Sequence, residues 1–326
     1  MKVLVTGASG FLGSHVAEQL ASQGHDVRVL VRKTSNRKFL STLPRIEFVE
    51  GSIEQADRVR EAVAGVDAVV HSAALVKART EDEFITTNVE GTRNVLSAIQ
   101  EVAPGLARLV HVSSLEAAGP SPDGKPVPLT QERPITRYGR SKLASEALVR
   151  EAKGKVRSVI LRPGGIYGPR DQEMAEAFRS VKRGVLPITG DGSTKYSVVY
   201  GPDCATACVR AITADVPSAA TYFVSDGEVY SQRSMMELIE EAWGTRAFVR
   251  VGLPNSVIKG VSHLVGAYGK LRNQAVMLTP EKADMLLRHW VCGADTIKSD
   301  LGWEPELGFA EGARRTANWY REHQWM

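Results

Sequence analysis

The stretch KVLVTGASGFLGSHVAEQLASQG, residues 2–24, decides the fold class of this 326-residue chain. KVLVT is a short β-branched run, and it predicts a buried strand that ends at Gly7. FLGSHVAEQLASQG predicts a helix that begins at Phe11 and stops at Gly24. A strand, a glycine turn and a helix in this order open a β-α-β unit.

Three glycines, Gly7, Gly10 and Gly13, occupy the turn with the spacing G-x-x-G-x-x-G. The first permits a tight turn, the second lets the backbone approach a pyrophosphate, and the third lets helix and strand pack closely. The helix N-terminus then attracts the phosphates. The pattern favours a dinucleotide-binding site, with an ordinary turn as the alternative. The residues expected to contact the dinucleotide here are Gly7, Ser9, Gly10, Phe11, Leu12 and Gly13.

Strands and helices continue to alternate through the first half of the chain. Near-continuous apolar runs predict further strands at 26–31, 46–51, 66–74, 107–114 and 156–163. Helical patterns lie between several of them, at 56–65, at 81–102 and after residue 136. This alternation predicts an α/β fold, a Rossmann-type doubly wound parallel sheet that is covered by helices on both faces.

The alternation fades after about residue 169. We therefore predict a dinucleotide-binding Rossmann domain over residues 1–169, which carries the catalytic motif. Residues 170–326 are expected to form a smaller, mostly helical substrate-binding lobe, with some segments returning to the first domain.

The composition narrows the classes of partner. The net charge of +4 and the absence of a basic run with interleaved aromatics argue against nucleic acid. Cys204, Cys208 and Cys292 suggest buried thiols and neither a disulfide framework nor a metal site. No apolar stretch approaches the roughly 20 residues of a membrane span. We expect a cytoplasmic protein that acts on a small molecule.

The end of the second strand bears on the choice of cofactor. NAD sites usually keep an acidic residue there, but Val31 takes that place, followed by Arg32 and Lys33. A guanidinium matches the geometry of a 2′-phosphate. The pattern favours NADP(H) over NAD(H), with a solvated basic loop as the alternative.

Ser113, Ser114, Tyr138 and Lys142 are the candidate reacting groups. The two serines end the fifth strand, and the tyrosine and lysine lie one helical turn apart on the next helix. A tyrosine hydroxyl can protonate an alkoxide, and a nearby ammonium is expected to lower its pKa from about 10. A serine hydroxyl can hold the carbonyl oxygen. The alternative is an ordinary solvated helix start, and the flanking arginines, Arg137 and Arg140, are expected to be solvated charges.

The ordered motifs resemble those of the extended short-chain dehydrogenase/reductases, also called the NAD-dependent epimerase/dehydratase family. They are G-x-x-G-x-x-G, HSAA (71–74), the serine pair, Y-x-x-x-K and RPGGIYGP (162–169). SSLEAAGP looks like the 3β-hydroxysteroid dehydrogenase branch, and VTGASGFLGSH with VRVLVRKTSN looks like the dihydroflavonol reductase branch.

The resemblance implies roles for individual residues. Tyr138 would be the catalytic acid or base, Lys142 its partner and Ser114 the hydroxyl that orients the substrate. Asn88 would be a structural helper, and His71 is expected to have a structural role and no catalytic one. The remaining expected cofactor contacts are Ser52, Ile53, Ser72, Ala73, Ala74, Ser113, Tyr138, Lys142, Pro163, Gly164 and Ile166. A homodimer is plausible for the family.

The chain departs from the family pattern at three places. Ser52 replaces an aspartate beside adenine, Leu115 replaces the extra acid of sugar-nucleotide dehydratases, and Lys195 stands where sugar-nucleotide epimerases typically carry arginine. We expect NADP(H)-dependent interconversion of a ketone and a secondary alcohol on a hydrophobic β-keto, steroid-like or flavonoid-like compound. A nucleotide-sugar epimerase or reductase and a non-catalytic NADP(H) sensor are the alternatives.

One apolar helical face has three possible uses. It comprises Val257, Val261, Leu264, Val265, Tyr268 and Leu271. The face could be a lid over the substrate, a membrane contact or plain core, and core packing is favoured.

Overall fold

The computed structural model describes residues 1–272 and 279–326. The strands are β1 (Lys2–Thr6), β2 (Asp26–Val31), β3 (Ile46–Glu50), β4 (Ala68–His71), β5 (Arg108–Val112), β6 (Ser158–Pro163), β7 (Gly165–Tyr167), β8 (Val185–Thr189), β9 (Lys195–Tyr196), β10 (Val198–Tyr200), β11 (Ala220–Val224), β12 (Tyr230–Ser231) and β13 (Val249–Leu253).

The helices of the first half are α1 (Phe11–Ser22), α2 (Ala56–Val63), α3 (Glu81–Phe84), α4 (Gly91–Val102), α5 (Leu115–Ala118) and α6 (Arg137–Glu151). Those of the second half are α7 (Ala175–Lys182), α8 (Gly201–Thr213), α9 (Gln232–Trp243), α10 (Asn255–Arg272), α11 (Pro280–Leu286), α12 (Asp295–Leu301) and α13 (Phe309–Glu322). A π-helical segment, Ile85–Glu90, joins α3 to α4.

A seven-stranded parallel sheet forms the centre of the molecule, with the strand order β11-β6-β5-β4-β1-β2-β3. The order reverses beside β1, which pairs with β2 on one side and β4 on the other. Ligands of such sheets bind at the carboxyl ends of the strands near this reversal. The predicted Rossmann-type fold is confirmed.

Apolar side chains cover both faces of the sheet. One core joins the strands to α1 and α8, where Cys204 and Cys208 are buried as free thiols. The other core joins them to α2, α4 and α6 through Val59, Val95 and Val149. Burial on both faces explains why the strands are apolar runs without alternation.

Three elements beyond residue 169 return to the central sheet, and one of them, α12, adds Ile297 and Leu301 to the first core. Strand β11 pairs with β6 at the sheet edge, and α8 packs beside α1 in the first core. The sequence predicted a return without identifying these elements, because a long insertion separates them from β6. The division of the chain at residue 169 stays a prediction.

The C-terminal lobe has its own core, built mainly from α7, α9 and α13. Short strand pairs, β10 with β7, β12 with β9 and β13 with β8, complete the lobe. This lobe packs over the carboxyl side of the sheet through β7 and the loops that follow β6.

Helix α10 exposes much of the apolar face that was expected to be core. Val257, Val261 and Leu264 are 45%, 43% and 74% exposed, so the core-packing prediction is wrong for them. The helix instead buries Ile258 and Ser262, which lie about a quarter turn away. The side chains of Tyr268 and Leu271 lie outside the described part of the chain. Within residues 1–272 and 279–326, no helix is long and apolar enough to cross a bilayer.

Candidate active site

The residues predicted to bind or react lie along one edge of the central sheet. The glycine turn follows β1, the loop 72–74 follows β4, and Ser113 and Ser114 follow β5. Pro163 ends β6, with Gly164 and Ile166 just beyond it, while Arg32 and Ser52 follow β2 and β3. Because the strands are parallel and adjacent, their carboxyl ends meet at this edge.

The glycine turn approaches two pieces of backbone closely. Gly7 has a φ of +74°, and a Cβ there would lie 2.7 Å from the Ala73 nitrogen. A Cβ on Gly13 would lie 2.2 Å from the Gly7 carbonyl oxygen. Because Gly10 has no side chain to cap α1, the first N–H groups of the helix stay open to a ligand. This cradle fits the pyrophosphate of a dinucleotide.

We expect the Gly13→Ala variant to lose about 1–3 kcal/mol of unfolding free energy, because the added methyl meets backbone that cannot move aside. Its affinity for a dinucleotide should fall as well. Urea unfolding and cofactor titration measure the two effects. Gly105→Ala is the control, since its Cβ would meet nothing within 4 Å. A Gly13→Ala protein as stable as the parent would contradict the close packing.

Asn88 holds the loop after β4 in place. Its side-chain amide accepts from the Leu75 nitrogen at 2.7 Å and donates to the Leu75 carbonyl at 3.0 Å. It also donates to Ser141 Oγ at 2.9 Å, which links the loop to α6. Asn88 lies in the π-helical segment, a feature often found near functional sites. Its contacts agree with the expected role of a structural helper.

Ser114 and Tyr138 come together between β5 and α6. Ser114 caps α5, where its Oγ accepts from the Glu116 nitrogen at 3.1 Å. The same hydroxyl interacts with the Tyr138 hydroxyl. Lys142 follows one turn along α6 and is 2% exposed. The ring of Phe84 lies 6.2 Å from the Tyr138 ring, centroid to centroid.

The pKa of Tyr138 moves in the direction opposite to the prediction. Burial raises it well above its ordinary value, the Glu116 charge raises it further, and Ser114 offsets part of the rise. Burial also lowers the pKa of Lys142 to about 8, against the attraction of Glu146. The expected lowering of the Tyr138 pKa by Lys142 is therefore wrong for the protein alone, where desolvation dominates. Tyr138 is a neutral proton donor at ordinary pH.

Glu116 is a site residue that the sequence prediction did not assign. Burial raises the pKa of its carboxyl, and the hydrogen bond from Thr136 Oγ1 to Oε2, 2.5 Å long, partly opposes this rise. The sequence signal that could have identified Glu116 was its position two residues after Ser114. The loop between α5 and α6 returns Thr136 to it, and sequence spacing does not reveal that return.

A buried ion pair lies beneath the candidate reacting groups. Glu146 and Arg162 have fully buried side chains and form two hydrogen bonds, Nε to Oε1 at 2.9 Å and Nη2 to Oε2 at 2.7 Å. Ser113 Oγ also donates to Glu146 Oε1. Its hydroxyl is thus engaged here, and any cofactor contact of Ser113 would use its main chain. The pair links the end of β5, helix α6 and the end of β6.

His71 and His111 form a neutral layer next to Lys142. The ring nitrogens of His71 lie 2.7 Å from Thr6 Oγ1 and 3.0 Å from Thr92 Oγ1. Burial, with the nearby Lys142 charge, lowers the pKa of His71 to about 3. A neutral, hydrogen-bonded histidine fits the structural role expected for it.

Arg137 is not the solvated charge that the sequence suggested. Its backbone nitrogen and its Nε both donate to the Glu281 carboxylate, at 2.5 and 2.9 Å. These bonds fasten the start of α6, just before Tyr138, to α11 of the lobe. The prediction failed because Glu281 is 144 residues away. Arg140 is 46% exposed and pairs with Glu81 on the surface.

A cleft of about 390 Å³ lies at the ends of β2 and β3, where the adenosine end of the cofactor is predicted to bind, and we call it the adenosine cleft. It is lined by Arg32, Lys33, Thr34, Glu50, Gly51, Ser52, Gln55 and Arg58. Ile53 is only 6% exposed, and its side chain packs against Gly91 of α4. A contact between Ile53 and adenine stays a prediction.

Comparisons with known proteins agree on the family. Residues 3–224 match the family model described as "NAD dependent epimerase/dehydratase family". The 2-alkyl-3-oxoalkanoate reductase of Stenotrophomonas maltophilia is 30% identical, over 97% of this chain and 98% of that protein. The ceramide reductase of Caulobacter vibrioides is 29% identical, over 99% and 96%. The crystal structure of DesIV, a dTDP-glucose 4,6-dehydratase of Streptomyces venezuelae with NAD bound, superposes with a TM-score of 0.81 at 25% identity, over 100% of this chain and 98% of that chain.

Proposed function

The chain belongs to the NAD-dependent epimerase/dehydratase family, the extended short-chain dehydrogenase/reductases, and from this premise we propose that it reduces a ketone to a secondary alcohol with NADPH. The reverse oxidation is the same reaction run backward. The observation that carries the proposal is the set of Ser114, Tyr138 and Lys142 at the carboxyl edge of the sheet, in which Lys142 is buried and the other two side chains are half-buried.

When bound, the nicotinamide cofactor supplies or accepts a hydride. The glycine turn and the first N–H groups of α1 would hold its pyrophosphate, and the Pro163–Ile166 main chain would lie beside its carboxamide. Gly7 lies against Ala73 and Gly13 against Gly7, with no room for a side chain at either glycine. The backbone of the turn would therefore be accessible to the phosphates.

Tyr138 and Ser114 act on the substrate oxygen. Ser114 Oγ orients the carbonyl and stabilises the negative charge that develops on its oxygen. Tyr138 then passes its hydroxyl proton to that oxygen, which completes the alcohol. The raised pKa of Tyr138 keeps the proton in place until the oxygen becomes basic.

Lys142 supplies the positive charge that this transfer needs. Lys142 lies one helical turn from Tyr138 on α6, and its positive charge would stabilise the tyrosinate formed during the transfer, while burial dominates the pKa of the resting tyrosine. Glu146, one turn further on, favours the charged form of Lys142 and so supports this role.

The proposed substrate is a hydrophobic carbonyl compound. Apolar side chains lie near the reacting groups: the Phe84 ring lies beside the Tyr138 ring, and Leu115, next to Ser114, packs in an apolar cluster with Ile135 and Met285. Two relatives along nearly the whole chain are named as reductases of an alkyl-oxoalkanoate and of ceramide, both lipid-like compounds. NADP(H) preference rests on Arg32 and Lys33, which line the adenosine cleft. A cytoplasmic location and a homodimer stay predictions.

A substrate screen tests this function. Purified protein is given NADPH with a 2-alkyl-3-oxoalkanoate, a long-chain keto-lipid, a steroid ketone and a flavonoid ketone, and in parallel with UDP-glucose and dTDP-glucose. We expect NADPH oxidation with one or more of the apolar ketones. Turnover of the sugar nucleotides alone would overturn the proposal in favour of an epimerase or sugar reductase. Cofactor binding without turnover of any compound would favour the sensor.

A further inference from the structure

Arg58 of α2 lies in the adenosine cleft although it is far in sequence from Arg32 and Lys33. Its side-chain stem lies flat on the backbone at the end of β3: a Cβ on Gly51 would be 2.6 Å from Arg58 Cβ and 2.9 Å from Arg58 Cγ. Only a glycine at position 51 leaves room for this stem. The Arg58 side chain therefore forms part of the wall of the cleft.

The carboxylates around the cleft are each paired with one arginine. Arg37 Nη2 donates to Glu50 Oε2 at 2.7 Å, and Arg58 Nη1 donates to Glu61 Oε2 at 2.6 Å. Across the described ranges, Arg32 and Lys33 form no ion pair with a carboxylate. The cleft is thus lined by three cations and one carboxylate, and two of these cations, Arg32 and Lys33, have no carboxylate partner in the described part of the chain.

Lys33 and Arg58 both lie close enough to Glu50 for their charges to act on its carboxylate. The hydrogen bond from Arg37 lowers the pKa of Glu50, and the charges of Lys33 and Arg58 act in the same direction. Both side chains therefore lie near the end of β3. That point faces the end of β2, where a Rossmann site places the adenosine ribose.

We propose that Arg58 is a third binding residue for the 2′-phosphate of NADP(H), beside Arg32 and Lys33. On binding, its guanidinium exchanges Glu61 for the phosphate. The ion pair between Arg58 and Glu61 is half exposed, with side chains 47% and 54% accessible. Ion pairs this exposed contribute little to stability. A charge-assisted contact between the guanidinium and a phosphate is expected to be stronger than this exposed ion pair. This inference rests on the proposed NADP(H) preference and adds a residue from a different element.

The test compares Arg58→Ala with Arg60→Ala in the full-length protein. Arg60 lies on the same helix, is similarly exposed at 43%, and pairs with Asp57 and Glu101 outside the cleft. We expect Arg58→Ala to weaken NADPH binding about tenfold and NADH binding less than about twofold, as for the loss of one charge-assisted bond. Arg60→Ala should leave both dissociation constants unchanged, and Arg58→Lys should be intermediate. Fluorescence titration with each cofactor gives the constants.

Arg32→Ala separates the failure of this inference from the failure of the cofactor preference. If Arg32→Ala weakens NADPH selectively and Arg58→Ala does not, the role of Arg58 is refuted and the preference stands. If neither variant discriminates between the cofactors, the NADP(H) preference itself is refuted. Equal losses of NADPH and NADH affinity in Arg58→Ala would assign Arg58 to packing on Gly51 and overturn the inference.

A second variant tests the exchange of partners. Glu61→Gln leaves Arg58 intact and weakens its resting ion pair, so NADPH binding should strengthen by about twofold to threefold while NADH binding stays constant. Weaker NADPH binding in Glu61→Gln would contradict the exchange.

Discussion

Replacement of Tyr138 by phenylalanine is expected to lower kcat for ketone reduction by roughly 10²–10⁴-fold, the usual contribution of a general acid. The hydroxyl is the only group lost, and it interacts with Ser114 at the place where the proposed reaction puts the substrate oxygen. The ring and its contact with Phe84 remain. Cofactor affinity and thermal stability should therefore change little, and steady-state kinetics with NADPH titration will separate these effects.

Tyr222→Phe is the matched control for this loss. Tyr222 is a buried tyrosine whose hydroxyl donates to Asp300 at 3.0 Å, on the opposite side of β6 from the reacting groups. The kcat of Tyr222→Phe should stay within about twofold of the parent value, because the substitution lies away from the reacting groups. A Tyr138→Phe enzyme that keeps full turnover on a verified ketone would remove Tyr138 from the reaction.

The second large effect is expected in folding stability, from Glu146→Gln. Arg162 is fully buried, and the variant would leave only the more distant, half-exposed Glu132 to balance the charge of its guanidinium. Removing one partner of a buried pair costs about 3–5 kcal/mol, a large share of the stability of a typical domain. Urea unfolding measures the loss. Turnover should fall as well, because Lys142 loses the charge that favours its ammonium form.

Glu132→Gln provides the comparison within the same ion network. Glu132 also approaches Arg162, at 3.5 Å, but its side chain is 43% exposed, so we expect a loss below about 1 kcal/mol. The double variant Glu146→Gln, Arg162→Met removes both charges and should recover part of the stability. If Glu146→Gln alone is as stable as Glu132→Gln, the buried pair does not stabilise the fold as argued.

Several features of the fold could be predicted because their signals are local. Apolar runs marked β1 through β6, and the glycine spacing marked the turn into α1. Strand β11 was missed, since residues 164–219 separate it from its partner β6 and form other elements in between. The core role of α10 was wrongly predicted, because an apolar helical face has the same spacing whether it is buried or exposed.

The candidate site divides in the same way. Ser114, Tyr138 and Lys142 were proposed from residue type and chain order, and the structure places them along one sheet edge. Glu116, Arg58 and the Glu146–Arg162 pair were not proposed. Their roles depend on contacts that cross between elements, and charged residues on a helix ordinarily face solvent.

The sequence alone therefore determined six of the seven strands of the sheet and the position of the glycine turn, and it proposed which side chains react. These follow from hydrophobic periodicity and from glycines that allow close backbone approach, both of which are written in neighbouring residues. Only the tertiary structure decided the ionisation of Tyr138, the anchoring of Arg137 by Glu281 and the third cation of the adenosine cleft. Burial and charge balance are sums over distant segments, and the chain brings those segments together only when it folds.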